Sequence, residues 1–234
     1  MISWEKILKF FSALWTGSGG ERTSKSGPSI SLEEIRKFLP TFLSQGSENV
    51  FLDEIKHFIR NSESHPFYTQ ALWDQPFIFQ GDGLEGLLII NLPDTTAKSG
   101  KGMILSNSCD INPSNEHLFD ASLSYAPIFS LPAYLDALRK RFSDERVAQH
   151  ERDLRRQSIT QIFFLPRCGN LPNDAIVFLD RIISVTNDKV DRTDLPKRRL
   201  FTLSDFGAWL LMLKLSIHFC RIRDKVDRIA GVIA

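Results

Sequence analysis

From about residue 76 the chain breaks into short apolar runs separated by turn residues, a pattern that few folds accommodate. The runs are Phe77–Phe79, Leu87–Leu92, Gly102–Ser106, Ser122–Ile128, Gln161–Leu165 and Ala175–Val185. Pro93, Gly100, Pro113, Pro127, Pro166 and Pro172 punctuate them. Runs this short, bounded by proline and glycine, read as strands. Five or six such strands within about 110 residues suit a small, strongly bent β-barrel over residues 76–200.

One stretch interrupts the strands. Residues 133–157 contain no glycine or proline and many helix formers, which predicts a long charged helix inserted between strands. Its arginines and lysine (Arg139, Lys140, Arg141, Arg146, Arg152, Arg155, Arg156) are interleaved with acids. That pattern reads as a solvated helix laced with salt bridges, or as a nucleic-acid or partner surface.

Helices flank the strand region. Trp4, Ile7, Leu8, Phe11, Leu14 and Trp15 recur at helical spacing, which predicts an amphipathic helix over 1–15. Such a helix docks on its own domain or on a partner; its two lysines are few for a membrane surface. Residues 16–30 are rich in Gly and Ser and read as a flexible linker. Ser31-Leu-Glu-Glu34 is a capping-box pattern that opens a helical preface over 31–75. At the other end, Thr202-Leu-Ser-Asp205 is a cap signal. Phe206, Trp209, Leu210, Leu213, Ile217 and Cys220 follow as one stripe, predicting a C-terminal helix within 201–234 that covers a face of the barrel. The fold class expected is therefore α+β.

Charge and cysteines narrow the function. The net charge is only +1, so any binding to nucleic acid needs a local patch. Cys109, Cys168 and Cys220 form no C-x-x-C pair, which fits reduced thiols in a cytoplasmic protein. No run of about 18 apolar residues appears, so no spanning helix is expected. No glycine-rich phosphate loop, zinc motif or dinucleotide fingerprint appears either, and the expectation is no metal and no cofactor.

The densest polar cluster is Ser106-Asn107-Ser108-Cys109-Asp110, directly after the apolar Met103-Ile-Leu105. Small polar side chains at a strand end are displayed at the rim, where sites are often built. Asn and Asp also bond their own backbone and stabilise turns, so a plain polar turn competes with a site. Asp110 reads equally as an acid/base or as a turn cap. Cys109 reads as a packed thiol or as a nucleophile, with His117 the histidine nearest in sequence. Lys197, Arg198, Arg199 and Lys189 form a second basic cluster, which reads as solvated surface or, beside Lys98 and Lys101, as a grip on phosphates.

The order Gly81-Asp82, apolar strand, Gly102-Met-Ile-Leu-Ser106, polar turn, Tyr125-Ala-Pro-Ile128 resembles PemK/MazF-like proteins. Ser106-x-x-Cys109-Asp110-Ile111, with Phe163-Phe-Leu-Pro166, Phe178-Leu-Asp180 and a Leu203-Ser204 helix reaching Arg221, is similar to a bacterial branch of that class. The resemblance spans roughly 76–222. It implies an SH3-like barrel and, in active members, metal-independent cleavage of single-stranded RNA. It would make Ser106, Asp110 and Lys101 the catalytic set, with Lys98, Asn107, Ser108, Arg198 and Arg199 binding substrate. Such toxins carry an arginine just before the Ser-ending strand. Here Lys98-Ser-Gly-Lys101-Gly102 supplies lysines instead, which lack arginine's bidentate fork.

Three functions follow as expectations. The first is a toxin-like, RNA-directed module of a toxin–antitoxin or anti-phage defence system. The second is a non-catalytic interaction subunit of such an assembly, with a protein partner or a second copy. The third is a hydrolase using Cys109.

Overall fold

The computed structural model describes residues 67–219 apart from 92 and 117. The expected helix over 1–15, the linker over 16–30, most of the helical preface, Cys220 and His117 lie outside the described residues. The fold is α+β. Its strands are β1 (Gly83–Asn91), β2 (Asp94–Ile104), β3 (Ser122–Ser130), β4 (Ile162–Leu165), β5 (Ala175–Phe178), β6 (Ile183–Thr186) and β7 (Arg199–Phe201). The helices are α1 (Leu131–Arg139), α2 (Asp144–Arg155), α3 (Leu195–Arg198) and α4 (Asp205–Phe219).

The strands form one antiparallel sheet in the order β4-β5-β3-β2-β1-β7, with β6 also paired to β3. The end strands β4 and β7 do not pair with each other, so the sheet is open where a closed barrel was expected. The long β3 explains the shape. Its first half pairs with β6, its middle with β2 and its last residues with β5, so one strand serves two sheet segments.

Period-two alternation distributes side chains among three cores. Met103 and Ala126 face one, with Phe163, Leu165, Phe201 and the α4 residues Phe206, Leu210 and Leu213. Their strand neighbours Ile104 and Tyr125 face the second, with Leu84, Leu87 and Ile111. Ile162 and Phe164 of β4 turn to the third, under Leu135, Val147 and Leu154 of α1 and α2. A strand buried on both faces needs an unbroken apolar run, which Ile162-Phe-Phe-Leu165 and Ala175-Ile-Val-Phe178 supply.

Several expectations are corrected. Phe77–Phe79 is not a strand, because side chains of the interior take the backbone groups a neighbouring strand would need. The run Ala175–Val185 divides into β5 and β6. The inserted helix of 133–157 is two helices; the chain turns after Arg139 and restarts with Ser143 as the N-cap of α2. The part of the preface that is described, residues 67–75, holds a β-bridge and turns instead of helix. The C-terminal helix packs its apolar stripe onto the sheet as expected.

Candidate functional site

The Ser106–Asp110 cluster leaves the end of β2, and its polar atoms join the fold's own backbone. Ser106 Oγ accepts from the Ser124 N–H at 2.8 Å and donates to the Ser122 carbonyl at 3.3 Å. Asn107 Oδ1 accepts from the Cys109 N–H at 2.9 Å, which closes an Asx turn. Ser108 Oγ accepts from the Gln80 N–H at 2.9 Å. Asp110 is exposed and bonds no described residue. Cys109 is an exposed free thiol.

The lysines assigned to the same site lie elsewhere. Lys101 pairs across from Glu85 and Lys98 from Ile89, toward the β1–β2 hairpin. The turn leaves the opposite end of β2. An extended strand puts Lys101 about 17 Å and Lys98 about 27 Å from Ser106. Lys101 has a different neighbour, because Arg198 Nε donates to the Glu85 carbonyl at 3.1 Å. Arg198 also pairs with Asp191 at 3.2 Å.

Arg199 is not a surface residue. It and Asp82 are both 0% exposed, and Arg199 Nε meets Asp82 Oδ2 at 3.3 Å. The guanidinium also donates to the carbonyls of Trp73, Gln75 (3.2 Å) and Phe77 (2.6 Å). Asp82 Oδ2 accepts from the Phe79 N–H at 3.0 Å. Gly81 makes this entry feasible: its φ of +86° turns Asp82 inward, and a Cβ there would meet Leu203 Cδ1 at 2.6 Å. Burial pushes the Asp82 carboxyl up, while Arg199, the Phe79 N–H and Thr202 pull against that rise. Neither Asp82 Oδ1 nor Thr202 Oγ1 completes a hydrogen bond of ordinary geometry. Arg199 thus ties the 73–79 loop to the sheet, and its donors face inward, away from any substrate phosphate.

A second interior polar group seals the edge strand β4. Gln157 Oε1 accepts from the Phe164 N–H at 3.0 Å, and its Nε2 donates to the Phe164 carbonyl at 2.6 Å. Lys214 of α4 donates to Gln157 Oε1 at 2.8 Å and to the Ile162 carbonyl. These groups fill the edge that another strand would otherwise join. Burial is the cause that brings the Lys214 ammonium down to about 7. The sequence carried a signal for Lys214: it stands four residues after Leu210 and three before Ile217, on the buried stripe.

The open seam between the two ends of the sheet holds a cavity of about 500 Å³. Leu200, Phe201 and Thr202 line one side, Cys168, Gly169 and Asn170 another, and Tyr68 to Asp74 the mouth. Side chains bridge the seam where backbone pairing is missing. Asn170 Nδ2 donates to the Arg199 carbonyl at 3.2 Å, Cys168 Sγ lies 3.8 Å from the Leu200 carbonyl, and Tyr68 Oη donates to the Pro166 carbonyl at 2.6 Å. Burial pushes the Cys168 thiol up, away from the thiolate that a nucleophile needs. Among the described residues no three His, Cys, Asp or Glu side chains gather as a metal site. No helix among them is long and apolar enough to cross a membrane. Compared with known proteins, the chain matches no protein-family model and no curated sequence.

Proposed function

We propose that the chain is a non-catalytic protein-interaction subunit, in an assembly of the toxin–antitoxin or defence kind that its likeness to PemK/MazF-like, SH3-like barrels implies. The observation that carries this reading is the β2–β3 loop. Leu118 and Phe119 stand there 106% and 76% exposed. Residues 102–138 contain no lysine or arginine, while Asp110, Glu116 and Asp120 stand exposed in the loop. An adjacent exposed apolar pair is costly in water unless something covers it. An acidic loop bearing that pair fits a partner whose apolar pocket is rimmed by cations. The test is a photo-crosslinking residue at Leu118 of the full chain in its own cells, with Thr96 on exposed β2 as control. One discrete protein adduct at 118 and none at 96 is expected. RNA adducts, or equal yield at both positions, would end the reading.

A second reading has one observation in its favour. Lys98 and Lys101 lie on β2 without ion-pair partners, near Arg198, and a single-stranded RNA could lie along them. On that reading the chain is the toxin-like, RNA-directed module, and Asp110 is the group left available for metal-independent chemistry.

A further inference from the structure

We propose that the outer face of α4 is a docking face for the chain's own residues 48–60. That face is apolar where a helix turned to water would be charged. From Phe206 to Phe219 the one Asp, Glu, Lys or Arg is Lys214, and its side chain is buried. Met212 and Phe219 stand 38% and 62% exposed. Ala208, Trp209 and Leu215, on the same side of the helix, are half-buried. Ala208, Met212, Leu215 and Phe219 recur at steps of four, three and four, the spacing of a seam that receives a second helix.

The course of the chain selects the occupant. Phe67 lies against the first turn of α4. Its carbonyl accepts from the Ser204 N–H at 3.0 Å, and a Cβ at Gly207 would meet the same oxygen at 2.6 Å. Whatever precedes Phe67 therefore reaches the fold beside α4. Within residues 48–60, Phe51, Ile55, Phe58 and Ile59 recur at helical spacing, with Asp53 and Arg60 on the other side. The residues between Arg60 and Phe67 span up to about 20 Å when extended. From Gly207 to Phe219 the helix is about 18 Å long. The segment can thus reach the whole face.

Two other occupants fit less well. A face about 22 Å long and about 10 Å wide is small beside the roughly 600 Å² per partner that a stable dimer of second copies needs. A tethered segment needs no such area, because a short tether holds it at a millimolar effective concentration. Residues 1–15 carry an apolar stripe too, but about fifty residues separate them from Phe67, and effective concentration falls with tether length. The inference stands whether or not Leu118 meets a partner.

The experiment places benzoylphenylalanine at Met212 of the purified full chain and irradiates it at low concentration. A monomeric product whose crosslinked peptide lies within residues 48–60 is expected, and the same probe at Thr96 should give none. Phe58→Asp puts a charge into the docked face and should cut the yield at 212 about tenfold. Asp53→Asn, on the opposite side, should leave it unchanged. A crosslink to a second copy, to residues 1–15 or to another part of the chain, no crosslink at all, or an undiminished yield in Phe58→Asp overturns the inference.

Discussion

Two polar regions of this molecule have opposite fates. The Ser106–Asp110 turn is dense in hydroxyl, amide and carboxylate groups and sits at the surface, where its bonds close a local turn, tack one strand end to the next or, from Ser108, hold the Gln80 N–H. The Asp82–Arg199 pair came from two short, ordinary sequence contexts and sits wholly inside, where one guanidinium meets a carboxylate and three carbonyls. The contrast teaches that polar density in a sequence does not pick out the polar groups that hold the fold, which come from positions far apart in the chain and meet only in three dimensions. Gln157, in the turn after α2, and Lys214, on α4, repeat the lesson, meeting at the edge of β4.

Substitutions sharpen this comparison. Arg199→Met removes one member of a buried pair and orphans Asp82 and the loop carbonyls. It should cost about 3–5 kcal/mol of unfolding free energy, read from denaturant titration, and a loss under 1 kcal/mol would show that water reaches the pair.

Lys214 gives a pH test of the same kind. Below pH 7 the folded and unfolded chains both hold the proton, and the burial penalty is fully present. Between about 7 and the ordinary 10.5 the folded chain releases it while the unfolded chain keeps it. Stability should therefore rise with pH across that window, by on the order of a few kcal/mol. Urea midpoints at pH 7 and 9.5 should differ in the parent, and the difference should shrink in Lys214→Met. Equal slopes in the two proteins would place the titration elsewhere.

The surface turn should respond least. Ser106→Ala loses two hydrogen bonds at the start of β3, about 1–2 kcal/mol. Asp110→Ala should fall within about 0.5 kcal/mol of the parent, because the side chain touches nothing described. A larger effect at Asp110 than at Ser106 would reverse the comparison.

Much of the fold was legible where burial on both faces writes itself as an apolar run. Ile162–Leu165 and the first half of Ala175–Val185 are such strands, and the α4 stripe was read the same way. The polar half of β2, residues 94–101, could not be read, because it is solvent-exposed and borrows its strand geometry from β1. Phe77–Phe79 misled for the converse reason: its backbone bonds go to Arg199 and Asp82, partners that periodicity cannot foresee. Arg199 was misread because three consecutive cations look solvated, although the second and third of them, Arg198 and Arg199, part company at the start of β7. The cavity at Trp73 and Asp74 exists only because two sheet ends distant in sequence stop short of each other.

The most direct test of the central claim, that the Ser106–Asp110 turn is architecture and the chain acts by binding, is incubation of the full chain with end-labelled, mixed-sequence RNA in EDTA, beside Ser106→Ala and Asp110→Ala. The account predicts intact RNA in all three lanes. Cleavage by the parent that disappears in Asp110→Ala, a variant expected to fold normally, would contradict it and return the turn to catalysis.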